Sequence, residues 1–202
     1  MNTRQLILET TLKLMIEKQN SIISIRQISN ASGIAIGGIY HHFSNKEEIY
    51  NEITEKYYIN FYRFDFDRLR QIKGNAKEKI HDAIAEIFKQ KEAVMKIESI
   101  GDEIDYRDIL LVLTANGSTY ENYDELTQSL IKELREFLTE IIGEGQKSRQ
   151  IRQDLPTEDI AESLIIMYMG IQYKWEIYLI DDMILAFEDN FKLEWEKMRF
   201  RE

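Results

Sequence analysis

The chain has 202 residues, 44% of them hydrophobic and 31% charged, with one proline, nine glycines and no cysteine. This is the composition of a soluble globular protein with one sizeable domain, or a small domain joined to a medium one, and it excludes disulfides, cysteine-ligated metals and thiol chemistry. The net charge of −10 argues against nucleic acid only on average: residues 1–46 hold five basic residues (Arg4, Lys13, Lys18, Arg26, Lys46) against Glu9 and Glu17, a balance of +3, and the remainder holds 21 basic against 34 acidic residues, a balance of −13. The first residues have no apolar core of signal-peptide type, and the longest apolar stretch, around Leu164 to Met169, is too short to span a bilayer. With no cysteine to protect, the chain suits a reducing cytoplasm, and no membrane association is expected.

The predicted elements are helices throughout. Leu6, Ile7, Thr10, Leu14 and Met15 lie at helical spacing in a first segment from Thr3 to Lys18. A second helix begins at Ser24, which forms a capping box with Gln27, and runs to about Ser32, where Gly33 supplies the stop. A short third helix is expected over about 36–43. Asn45, followed by Glu47 and Glu48, reads as the cap and acidic first turn of a long fourth helix, continuing to about Ile72 and broken by Gly74-Asn75. Further helices are expected over about 76–98, 106–116, 121–148, 157–180 and 183–200. Their punctuation is Gly101-Asp102, Asn116-Gly117-Ser118, residues 150–156 and Asp181-Asp182. No strand-like alternation competes, so the expected fold is all-α. A three-helix N-terminal domain (1–46) precedes a helical C-terminal domain (47–202).

The most informative stretch is Ser24 to Phe43, two short helices joined by a tight turn containing Gly33, which is the helix-turn-helix arrangement. Such a unit lays its second helix in the major groove. Ile25, Ile28, Ala31, Ile34 and Ile39 have the spacing of an inner face, leaving Arg26, Tyr40, His41, His42 and Lys46 to point outward.

These residues resemble the DNA-binding domain of the tetracycline-repressor (TetR) family of bacterial regulators. The resemblance rests on Ile7-Leu8, Ile28, Gly33, Gly37, Ile39-Tyr40, His42-Phe43, Lys46-Glu47 and Ile49. Beyond residue 50 it is one of helix count and length, with one later piece, residues 151–155 with Ile160-Ala161 and Gly170. It implies phosphate contacts from Tyr40, His42 and Lys46, and base or backbone contacts from Arg26, Gly38 and His41. Ser24 would meet phosphate at a helix N-terminus, and the Arg26 fork matches guanine O6 and N7. Three departures stand out. Ala35 replaces the usual Ser or Thr cap of the recognition helix. Gln19-Asn20 replaces a Gly-aromatic pair. Gly37-Gly38 places two poor helix formers in a short helix. The glycines allow two readings: DNA backbone approaches closely there, or the helix begins late.

Competing chemistries are weak. His41 and His42 are adjacent on a helix and do not converge on a metal. The glycines are followed by no Lys-Ser or Lys-Thr of a phosphate loop, and residues 101–105 lack the central Gly and closing Glu of a calcium loop. No catalytic arrangement is visible, so neither an enzyme nor a cofactor is expected.

The C-terminal part offers two further features. Tyr57, Tyr58, Phe61, Tyr62, Phe64 and Phe66 crowd the end of the fourth helix, which reads either as core or as an aromatic-walled pocket. Candidate contacts to a small effector are Tyr58, Phe61, Tyr62, Thr114, Asn116, Tyr168 and Gln172. A lipophilic cation or a fatty or acyl ligand would suit them. In 157–180, one stripe is Ile160, Leu164, Tyr168, Ile171, Trp175 and Tyr178, and a second is Ile166, Gly170, Tyr173 and Ile177. A helix apolar on two sides must bury both. With Phe187, Phe191 and Trp195 of the next helix, the second stripe is the expected homodimer face. The expected function is a dimeric transcription regulator on a palindromic operator, released by a small effector. The alternative is an all-α interaction protein of the same fold without sequence-specific DNA binding.

Overall fold

The computed structural model describes residues 2–19, 23–97, 100, 104–115 and 123–201. Among these residues there are helices and no strands; one isolated antiparallel bridge joins Ile151 to Arg199. No helix among the described residues is long and apolar enough to cross a membrane. The chain forms two compact units, Met1–Tyr62 with Val94–Leu126 and Arg63–Ala93 with Thr127–Glu202.

In the first unit, α1 (Thr3–Lys18) is capped by Asn2, whose side chain accepts from the Gln5 backbone N–H at 2.8 Å. It buries Ile7, Leu8, Thr11, Leu12 and Met15, and packs against α2 (Ile25–Ser32), α3 (Ile36–His42) and α4 (Lys46–Ile53). Helix α4 passes directly into a π-helical segment, Thr54–Ile59, and a last turn, α5 (Asn60–Tyr62). Inside the π segment the hydroxyl of Tyr106, from α8 (Tyr106–Ala115), donates to the Tyr57 carbonyl at 2.6 Å. A side chain reaching into the backbone ladder is a known cause of such a local opening.

The fourth helix therefore ends ten residues earlier than the expected Ile72, at Tyr62. Residues 63–65 are not helical, and Asp65 starts a new helix, α6 (Phe66–Arg70), by accepting from the Arg68 N–H at 3.0 Å. Asp65 has the chemistry of an N-cap, and the continuous aromatic run around it had hidden that signal.

The second unit packs α6, most of α7 (Ala76–Ile97) and of α9 (Tyr123–Lys147), α10 (Thr157–Glu176) and α11 (Met183–Met198). Phe66, Leu69, Ile84, Phe88, Phe137, Leu138 and Leu164 are buried in its core. Helix α10 is two-sided. Ile160, Leu164, Tyr168, Ile171 and Trp175 are buried, whereas Ile166 is 64% and Tyr173 61% exposed. It stops at Glu176 instead of 180. Tyr178, expected on the buried stripe, lies beyond the end at φ 61 and is exposed.

Helix α7 is tied to α11 by His81. Its ring lies 5.4 Å from Phe187 and 5.2 Å from Phe191 between centroids, with Nδ1 2.8 Å from Asp82 and Nε2 2.9 Å from Glu188. Partial burial opposes the charged ring, but hydrogen bonds to Asp82 and Glu188 and their charges outweigh it, so the pKa lies above 6.5. A raised folded-state pKa means that the stabilisation is fully present below 6.5 and is lost as pH rises through the folded value. Urea unfolding should therefore separate the wild type from His81→Gln clearly at pH 5.5, with the gap shrinking at pH 8.5. A gap independent of pH would remove the charge from this account.

Candidate DNA-binding interface

The helix-turn-helix is built from local signals that the backbone obeys. The Ser24 side chain accepts from the Gln27 N–H at 3.3 Å, and Gln27 Oε1 accepts from the Ser24 N–H at 2.8 Å, closing the capping box at the start of α2. Gly33 ends α2 in the left-handed region, φ 72, where a side chain would be strained. Helix α3 starts without a side-chain cap, since Ala35 has nothing to offer. Asn45 caps α4 by accepting from the Glu48 N–H at 2.8 Å. After α1, Gln19 ends the helix at φ 46, doing without a side-chain-free residue what glycine usually does; Asn20 lies outside the described residues.

The inner face is narrower than the spacing suggested. Ile28 and Ile39 are buried, Ile25 and Ile34 are half-buried, and Ala31 is exposed. Helix α3 thus has one fully buried side chain and depends on its neighbours for its position. Two residues that sequence reasoning did not single out provide this. Arg4 on α1 donates from Nη1 to the His42 carbonyl at the end of α3 and pairs with Glu52 and with Glu48, the latter at 3.2 Å. Its guanidinium carbon also stands 4.1 Å from the centroid of the Phe43 ring. The hydrogen bond to Glu52, and with it Glu48, raises the Arg4 pKa despite some burial. The Ser44 backbone N–H, then Arg4, hold the Glu48 carboxyl below its usual range. Tyr50 on α4 is the second. Its hydroxyl accepts from the Ile23 N–H at 2.8 Å and donates to the Ile23 carbonyl at 3.1 Å, fixing the chain just before α2. Burial pushes the Tyr50 phenol up. A tyrosine one turn after Lys46 was the only signal in the sequence.

What remains faces outward. Ser24 and Arg26 at the start of α2, and Gly37, Tyr40 and His41 on α3, are exposed; Gly38, His42 and Lys46 are half-exposed. The His41 and His42 rings meet edge to face at 5.3 Å, and Lys46 Nζ lies 5.5 Å above the Tyr50 ring. Both glycines fall within α3, so the helix does not begin late. A Cβ on Gly37 would meet nothing within 4 Å, whereas one on Gly38 would come 3.0 Å from Ile34 Cγ2. The protein's own packing therefore accounts for a small residue at Gly38 and gives no reason for one at Gly37.

The other expected site residues divide between the units. Tyr58 and Phe61 are buried in the first unit and Tyr62 is half-buried; Tyr58 packs on Tyr62 at 4.6 Å and Phe61 stacks on Tyr106 at 5.5 Å between centroids. Thr114 is an exposed residue of that unit, and Asn116 lies outside the described residues. Tyr168 and Gln172 are buried in the second unit, where the Tyr168 hydroxyl donates to Gln172 Oε1 at 3.0 Å. Of the expected dimer residues, Ile166, Gly170 and Tyr173 are exposed, and Ile177 and Trp195 are half-buried. Phe187 and Phe191 require correction. They are 0% and 2% exposed, because they face inward onto His81, with Phe187 also against Phe88. The large apolar residues that α11 exposes are instead Leu185 and Leu193, 62% and 59% exposed, and a groove between α10 and α11 is lined by residues that include Ile166, Gly170, Ala186 and Asn190.

Three helices with this capping, and polar residues left on the outside of the second and third, define a helix-turn-helix protein. Residues 7–53 match the model of the bacterial regulatory proteins, tetR family. The HTH-type transcriptional regulator AcrR of Shigella flexneri is 23% identical over 134 residues, 63% of this chain; the match spans 62% of that regulator's length. The HTH-type transcriptional repressor KstR2 of Rhodococcus jostii (strain RHA1) is 26% identical over 152 residues, covering 75% of this chain and 69% of the repressor. Among solved structures, NalD, the secondary repressor of the MexAB-OprM multidrug efflux pump in Pseudomonas aeruginosa, superposes with a TM-score of 0.68 at 18% identity, over 98% of this chain and 95% of NalD. Residues 7–53 thus form a helix-turn-helix segment of the tetR type, and the chain as a whole shares the fold of NalD.

The open space at Gly37 generates a prediction with two opposed signs. Gly37→Ala should stabilise the isolated protein by up to about 1 kcal/mol, since alanine is the better helix former and meets no neighbour. If DNA backbone comes close at this point, the same change should weaken DNA binding. Denaturant unfolding and duplex titration read the two effects, and undiminished binding would mean that nothing approaches Gly37.

Proposed function

We propose that the chain is a DNA-binding transcriptional repressor, acting as a homodimer on a roughly palindromic operator and released by a small lipophilic or aromatic effector. The observation that carries this reading is the outward-facing set on α2, α3 and the start of α4, centred on a glycine that the protein's own packing does not require. Residues 1–46 form the DNA-binding domain and 47–202 the effector-binding and dimerisation part. Tyr40, His42 and Lys46 hold phosphates, and Ser24 offers a hydroxyl at a helix N-terminus. Arg26 reads a guanine, and Gly37, Gly38 and His41 lie against bases or backbone. With few side chains left for base edges, DNA shape contributes to recognition.

Support for the dimer comes from the uncovered apolar stripe Ile166, Met169, Gly170 and Tyr173 on α10, whose opposite face is already buried. The two recognition helices would then reach successive major grooves about 34–36 Å apart. The effector reading rests on the buried aromatic and amide groups of the second unit, Tyr168 and Gln172 among them.

Duplexes retained from a random pool by the purified chain should share inverted half-sites about one helical turn, or a multiple of it, apart. Against the selected duplex, Lys46→Ala should weaken binding to every sequence and flatten the salt slope by about one. Arg26→Ala should relax one base pair per half-site, costing about 1–3 kcal/mol there. Salt-sensitive retention without a shared sequence would refute the operator and leave an interaction protein of the same fold.

Dimerisation has its own test. Tyr173→Glu should give a folded monomer at micromolar concentration in sedimentation. Phe187→Ala should instead cost about 3–5 kcal/mol of stability, as a truncation within one chain's core does. A Tyr173→Glu protein that stays dimeric would move the interface elsewhere.

A further inference from the structure

A polar ladder runs along the buried side of α10. Tyr168, Gln172 and Glu176 are spaced four residues apart and so share one face of the helix. The Tyr168 hydroxyl donates to Gln172 Oε1 at 3.0 Å, and Gln172 Nε2 donates to Glu176 Oε1 at 2.8 Å. Lys91 comes to this ladder from α7 with no exposed surface at all. Its Nζ stands 5.2 Å from the centroid of Phe64 and 5.8 Å from that of Tyr168, and Phe88 packs on Tyr168 at 5.4 Å.

Lysine is almost never fully buried, and a buried ion stabilises a fold no better than an apolar side chain of similar size. Burial drives the ammonium well below its ordinary pKa, and the charge of Glu176 acts in the opposite direction. The Tyr168 phenol, equally enclosed, is pushed well above its ordinary value by burial first and by Glu176 second. A titratable group displaced in this way, within a cluster of aromatic and amide groups, has the character of a binding site.

A buried amine held below its ordinary pKa is favoured in its charged form when an anion is brought beside it, whereas a cationic guest would press it further toward the neutral form. Glu176 is half-buried at the end of α10, near enough to water to give way to another carboxylate.

We propose that Lys91 recognises the carboxylate of an effector whose aliphatic or aromatic body lies along Phe64, Phe88 and Tyr168, with Gln172 as a second polar contact. This rests on the effector reading given above and narrows it from lipophilic molecules in general to lipophilic monoanions. The guest then supplies beside Lys91 a negative charge that adds to or replaces that of Glu176, on the same helix whose other face carries Gly170 and Tyr173.

The test uses the full chain without DNA and two matched sets of probes. One is decanoate, decan-1-ol and decylamine; the other is 4-phenylbutyrate, 4-phenylbutan-1-ol and 4-phenylbutylamine. All are kept below micellar concentrations at pH 7.5, and binding is read from the thermal transition and from the fluorescence of the buried Trp175. In at least one set the acid should bind about tenfold or more tightly than its alcohol and amine, the usual scale for a hydrogen bond to a charged group. Lys91→Met should remain folded and reduce that preference to about twofold or less, and Lys91→Gln, which keeps a donor but no charge, should do the same. Lys91→Arg should keep part of it. An acid no tighter than its alcohol in either set, or a preference that survives in both uncharged variants, overturns the assignment of Lys91 alone. If none of the six probes binds, the effector site in this unit falls with it.

Discussion

Arg4 draws together pieces of chain that are some forty residues apart: the last carbonyl of α3, the Phe43 ring behind it, and two carboxylates on α4. Everything proposed for the recognition helix depends on a clamp of this kind. A seven-residue helix with two glycines and no side-chain cap cannot hold itself in water, because nucleation costs more than so few hydrogen bonds return. Its direction must be imposed by its surroundings. Arg4 fixes its C-terminal end, Ile39 anchors its middle, and Tyr50 secures the approach to α2 through Ile23. With these in place, α3 needs few interactions of its own and can leave its outer surface uncommitted.

How much of this was legible in the sequence follows the range of the interactions. Capping signals act over three residues, and Ser24 with Gln27, Gly33 and Asn45 are where reading the chain placed them. The uncapped start at Ala35 is equally local. Arg4 and Tyr50 were not legible, because their partners lie 38 to 48 and 27 residues away and nothing in the intervening sequence marks them. The π segment depends on a hydroxyl arriving from α8, 49 residues downstream. Asp65 was local and was missed, because an unbroken aromatic run looks like a continuing helix.

The two-sided character of α10 was visible as two stripes of apolar residues, yet the partition of α11 was not. Phe187 and Phe191 are apolar and helically spaced, which fits an interface as well as a core. Only their contacts with His81 and Phe88 decide for the core. Periodicity identifies a buried face and leaves open which chain buries it. Lys91 illustrates the opposite failure. In a sequence it is one lysine among many, expected at the surface, and only its complete burial beside Phe64 and Tyr168 sets it apart.

The outer surface of α2, α3 and the start of α4 is the part proposed to meet DNA. Backbone hydrogen exchange, measured peptide by peptide on the full chain with and without a selected duplex, tests it directly. Slowing of exchange on adding the duplex should be concentrated in residues 24–46, including the amides of the exposed residues Gly37 and Tyr40, and should be removed by raising salt. Protection confined to the second unit, with residues 24–46 exchanging as in the free protein, would contradict it.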